Sequence, residues 1–176
     1  MISRAIVMVG VVMLVGGCDR KTDAPAPTSA ASTGAVAAAP ATAATDDGSV
    51  WNKVSASSGK LGALLEGEIA KAKAKALKPV VYLGASWCKP CIAIKKHRRD
   101  PKMLDALRGT YVAELDVDEW KAEDLTPLGL NDGAVPFFYL VDDHGHATGT
   151  KITSSAWGED IPENMAPPLK KFFAPR

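Results

Sequence analysis

Apolar positions recur along this chain in distinct rhythms, and each predicts a different element. Residues 60–77, KLGALLEGEIAKAKAKAL, set Leu61, Leu64, Leu65, Ile69, Ala72, Ala76 and Leu77 at roughly helical spacing, with lysines on the opposite face. Such spacing gathers them into one stripe of a helix, and Pro79 is expected to end it. Residues 80–83, Val-Val-Tyr-Leu, are a short continuous apolar run, as in a buried strand. A helix should run from Cys88 to about Arg99, stopped before Pro101, with another turn or two over 101–107.

Residues 111–117, YVAELDV, alternate. Val112, Glu114 and Asp116 fall on one side of that strand, and Ala113, Leu115 and Val117 on the other. A short helix is expected over 121–128. Residues 135–141, VPFFYLV, read as a continuous apolar strand, 142–146 (DDHGH) as a turn, and 147–152 as its hairpin partner. A last helix is expected over 167–173, with prolines in its first turn. Strands separated by helices imply parallel pairs with right-handed crossovers. The predicted fold is α/β: a central mixed sheet of parallel strands plus a C-terminal antiparallel hairpin, with helices on both faces.

The N-terminal part of the 176-residue chain reads differently. Residues 5–17, AIVMVGVVMLVGG, follow Arg4 and form an apolar run of 13 residues. A bilayer span needs about 20, whereas a secretory signal fits. The run ends in Val15-Gly16-Gly17-Cys18, which resembles the lipobox of bacterial lipoproteins. That resemblance implies a signal peptide over 1–17, acylation of Cys18 and a lipid anchor in the bacterial membrane. Asp19 in the following position resembles the enterobacterial signal for inner-membrane retention. Residues 18–49 are dominated by Ala, Pro, Thr, Ser and Asp and bear almost no large apolar side chains. They cannot bury enough surface to offset ordering entropy, which predicts a tether. Residues 50–176 remain as one domain. The net charge of +1 gives no electrostatic case for nucleic acid.

Two of the three cysteines stand in YLGASWCKPCIAIKK, residues 82–96. A structural zinc site wants four ligands; one pair remains after processing, with His97 nearby and His144 and His146 in a distant turn. A structural staple gains by closing a long unfolded loop, and two intervening residues close almost none. Redox exchange suits the spacing best. Cys88 would start a helix, where backbone N–H groups and the dipole favour a thiolate, and Cys91 would follow one turn on. Lys89 adds positive charge, or is a plain surface lysine, and Pro90 suits an early helical position.

Ala85-Ser86-Trp87-Cys88-Lys89-Pro90-Cys91 resembles the W-C-x-P-C active site of the thioredoxin superfamily, and Val135-Pro136 resembles its second signature, a cis-proline before the closing hairpin. The resemblance spans about 78–173 and implies a thioredoxin-like three-layer sandwich. It makes Cys88 and Cys91 the catalytic dithiol, gives Pro136 and Val135 to the substrate strand and makes Trp87 a cover over the site. Two departures stand out. Thioredoxins carry a buried aspartate six residues before the first cysteine, and Tyr82 stands there; the lysine pairing with it on the next strand is replaced by Glu114. Glu114 is therefore either a water-facing glutamate or, hydrogen-bonded to Tyr82, the proton acceptor for Cys91. The KKHRRD run at 95–100 is either a solvated helix face or a steering surface for acidic partners.

The expected activity is thiol–disulfide exchange by a periplasmic, membrane-tethered monomer, chiefly reduction of protein disulfides. The redox-active pair itself serves in place of a metal or other cofactor. The partners implied are protein disulfides or thiols in the periplasm and a membrane electron donor or acceptor. A disulfide-donating oxidase or isomerase, a binding or chaperone module and a copper carrier are the other readings.

Overall fold

The computed structural model describes residues 44–46 and 48–175. The signal segment, Cys18 and most of the tether lie outside the described residues. Among those described, no helix is long and apolar enough to cross a membrane.

Among the described residues six strands form one sheet: β1 (Ala44–Asp46), β2 (Ser49–Lys53), β3 (Lys78–Gly84), β4 (Thr110–Asp116), β5 (Phe137–Val141) and β6 (Ala147–Thr153). Their order across the sheet is β1-β2-β4-β3-β5-β6. β4 runs parallel to both β2 and β3, whereas β5 is antiparallel to β3 and forms a hairpin with β6. The parallel core and antiparallel closure match the expected fold class. Two strands are additions. β1 and the first residue of β2 fall at the end of the segment read as tether, and backbone pairing there needs no apolar side chain. β2 contributes only Val50 and Trp51 as large apolar groups, and its partner β4 lies some 60 residues along the chain.

The helices are α1 (Leu61–Ala74), α2 (Lys89–His97), α3 (Pro101–Leu107), α4 (Ala122–Leu125) and α5 (Pro162–Phe173). α1 buries Leu61, Leu65, Glu68, Ile69 and Ala72. It stops before Pro79, because Ala76 turns left-handed at φ 54° and Leu77 N–H closes on the Ala72 carbonyl. Pro79 is instead the second residue of β3. α5 begins five residues earlier than expected, with Pro162 in its first turn, and Pro167 and Pro168 lie in its interior.

Alternation along β3 sends side chains into two cores. Val80 and Tyr82 join Trp51, Cys88, Cys91, Ile94, Met103, Val112, Phe138 and Leu169 beneath α2, α3 and α5. Val81 and Leu83 join Leu61, Leu65, Ala113, Leu115 and Leu125 beneath α1 and α4. Both faces of β3 are thus sealed, and the chain leaves its C-terminal end directly into the cysteine loop.

Candidate active site

Cys88 is the N-cap residue of α2, and its sulfur accepts a hydrogen bond from Cys91 N–H at 3.3 Å. Pro90 takes the second helical position, where a missing donor costs nothing. Cys88 and Cys91 are joined by a disulfide with Cα atoms 5.2 Å apart. Their accessibilities differ: Cys88 is 5% exposed and Cys91 0%. Cys88 thus keeps a slight exposure, and Cys91 has none. No acidic residue occupies the first turn of α2, so the helix itself supplies no charge against its electropositive end.

The surroundings are apolar and open. Trp87 is 64% exposed and Ile92 49%. Trp87 Nε1–H donates to Asp118 Oδ1 at 3.1 Å, pinning the indole over the loop that follows β4. Beside it lies a cleft of about 250 Å³ lined by Leu83, Trp87, Val117, Trp120, Leu125 and Val135. Trp87 thus lies over the surface next to the pair and is not a core residue. The Val135–Pro136 peptide is cis, directly before β5. Lys89 points to solvent.

The expected link between Glu114 and Tyr82 does not form. The two stand opposite each other in register on β4 and β3. The Glu114 carboxylate, 13% exposed, instead takes Lys95 of α2 as its partner at 2.5 Å. The Tyr82 side chain is wholly buried and its hydroxyl has no hydrogen-bond partner. Burial first, and then the charges of Glu114 and Asp116, push its phenol above the usual range, so it stays neutral. Glu114 is neither water-facing nor bonded to Tyr82. Lys95 was not singled out from the basic run, although it lies four residues after Cys91, one helical turn on.

Trp51 was missed with its strand. Its ring meets Tyr82 edge-on at 5.5 Å and carries Arg98 at 5.9 Å from its centroid. His144 and His146 lie in the β5–β6 turn, at the end of the hairpin opposite Phe137. Among the described residues no three His, Cys, Asp or Glu side chains gather into a group that could hold a metal ion.

A mixed sheet with its central strand feeding a capped Cys-x-x-Cys helix, and a cis-proline before the closing hairpin, decides the fold class. The fold is thioredoxin-like. No protein-family model and no curated protein sequence matches the chain. Among solved structures it is similar to thioredoxin O1 from Arabidopsis thaliana in the oxidised state. That match has 23% identity over 58% of this chain and 84% of the other, with a TM-score of 0.39. It is also similar to a point mutant of thioredoxin from Halobacterium salinarum, at 16% identity over 76% and 97% of the two chains, TM-score 0.43. A poplar thioredoxin h matches at 19% identity over 58% and 81%, TM-score 0.39.

Proposed function

We propose that this protein is a periplasmic thiol–disulfide oxidoreductase, tethered to the membrane through acylated Cys18, that reduces disulfides in other proteins. The observation that carries the reading is the asymmetry of the pair: a Cys88 at a helix N-cap that keeps slight exposure, bonded to a Cys91 that has none. In the dithiol form the Cys88 thiolate attacks a substrate disulfide. A mixed disulfide forms and the first substrate sulfur leaves as thiolate, taking a proton. The Cys91 thiolate then attacks Cys88 Sγ, the mixed disulfide breaks, and the second substrate sulfur leaves. Two electrons pass to the substrate, and the Cys88–Cys91 disulfide is the product. A membrane-bound thiol donor resets the pair. The Val135–Pro136 segment and the cleft beside Trp87 would receive the substrate chain, and Lys89 would add positive charge beside the thiolate.

The reduction potential of the pair tests the direction. A value near −270 mV, the thioredoxin figure, supports a reductase; one near about −120 mV makes the protein a disulfide donor. Cys91→Ser separates either enzyme from a binding module. An enzyme accumulates mixed disulfides through Cys88, whereas a binder behaves as wild type.

A further inference from the structure

Tyr82 presents an anomaly. Its side chain is 0% exposed, yet its hydroxyl lacks a partner. A buried hydroxyl without a hydrogen bond is costly, and phenylalanine would pack the same space without that cost. The other two tyrosines do not share the problem. Tyr111 donates to Glu68 at 2.6 Å and Tyr139 to Asp132 at 2.7 Å.

The direction of the phenol is informative. A Cβ built on Gly84 would lie 2.8 Å from the Tyr82 oxygen. The ring therefore runs along β3 toward its C-terminal end, from which the cysteine loop departs. Tyr82 also belongs to the same buried cluster as Cys88 and Cys91. The charged groups facing this region are Glu114 and Asp116 from β4 and Lys95 from α2, and the lysine is engaged by Glu114. Trp51 of β2 and Phe138 of β5 close the ring's flanks.

Opening the disulfide changes what this cluster must hold. The two sulfurs move from a bond to non-bonded contact, roughly 3.5–4 Å. The neutral disulfide sulfur, a weak acceptor, becomes a thiol or thiolate on Cys91 with no access to water. A sealed thiolate needs a donor. We infer that the Tyr82 hydroxyl is a redox-linked donor, unpaired while Cys88 and Cys91 are bonded and donating to the Cys91 sulfur once the pair is reduced. The inference rests on the redox reading of this pair. It assigns Tyr82 the task of setting how readily the pair accepts electrons.

The test uses the full-length protein equilibrated in glutathione buffers, with the Cys88 and Cys91 peptides read by alkylation and mass spectrometry, which keeps Cys18 out of the measurement. Two glutathione thiols supply the two electrons and two protons and become glutathione disulfide. Tyr82→Phe is expected to shift the equilibrium about tenfold toward the disulfide, about 30 mV. It should leave the oxidised form at least as stable as wild type and weaken only the reduced form. A shift under twofold, or equal destabilisation of both forms, overturns the inference. A second measurement needs no variant. With carbon-13 at tyrosine Cζ, reduction should move the Tyr82 resonance and leave Tyr111 and Tyr139 in place; an unmoved Tyr82 signal also overturns it. A pair that never exchanges with glutathione sinks the redox reading itself, whereas a reversible pair indifferent to Tyr82→Phe sinks this inference alone.

Discussion

Gly84→Ala adds one methyl group at the point where β3 hands the chain to the cysteine loop. Gly84 has no left-handed φ, so alanine meets no backbone strain there. The whole effect is steric. The new Cβ would lie 2.7 Å from Tyr82 Cε1, 2.8 Å from its oxygen and 2.9 Å from Cζ. Carbon contacts are optimal near 3.5–4.0 Å, so two ring carbons must each yield by most of an ångström and the phenol oxygen must move with them. The ring has little room to do so: Phe138 lies 4.8 Å away and Trp51 5.5 Å, centroid to centroid. The strand cannot easily shift either, since Gly84 pairs with Asp116 and its carbonyl accepts from Val117 N–H at 3.0 Å.

Overpacking of this kind costs about 1–3 kcal/mol. Losing glycine's freedom in the unfolded chain returns about 0.4–1 kcal/mol. The net expectation is a loss of about 1–2 kcal/mol, read as a lower urea midpoint with an unchanged slope. Combining it with Tyr82→Phe removes one of the three clashing atoms, so the double variant should lose less than the sum of the singles. A Gly84→Ala protein as stable as wild type, or strict additivity, would refute the packing argument.

Two further outcomes are expected. Glu68 is buried, and although burial opposes its charge, hydrogen bonds from Lys71, Tyr111 and Asn52 outweigh it and hold its carboxyl below the usual range. A depressed folded value means that its contribution is present above the unfolded carboxylate pKa of about 4.3 and fades as pH falls through the folded value. Urea unfolding should show that acid-side loss in wild type and a shallower one in Glu68→Gln, which should also be about 1–2 kcal/mol less stable at pH 7; parallel pH curves would refute it. If Glu114 exchanges protons with Cys91, Glu114→Gln should slow thiol exchange about tenfold or more and alter its pH profile, while Lys95→Gln, which keeps the carboxylate, should not; equal effects of the two would reduce the pair to a structural contact.

Much of the fold was legible because it is written locally. The helical stripe of α1, the apolar runs of β3 and β5 and the hairpin turn each declare themselves within a dozen residues. β2 does not. Its side chains are Ser49, Val50, Trp51, Asn52 and Lys53, and it becomes a strand only because β4 offers a free edge from a distant part of the chain. Tertiary pairing decided that element, as context often decides strands. The end of α1 failed for a related reason: Pro79 looks like a helix stop, but the left-handed Ala76 turns the chain first.

The site divides along the same line. Cys88, Pro90 and Cys91 are legible together because a helix N-terminus needs only consecutive residues. Glu114 was legible as a position and not as a partner. Its register with Tyr82 follows from the strand pairing, but which group it holds depends on the packing of α2 across the sheet, and there Lys95 reaches it first. Tyr82, opposite it, is left without a hydrogen-bond partner. A carboxylate bonded to Tyr82 would have satisfied the phenol in both redox states and tied it to the sheet. With Glu114 taken up by Lys95, the neutral Tyr82 hydroxyl, in the same buried cluster as the cysteine pair, has no partner in the oxidised form. The sequence shows a tyrosine where the resemblance leads one to expect an acid; only the packing shows that its hydroxyl has no hydrogen-bond partner.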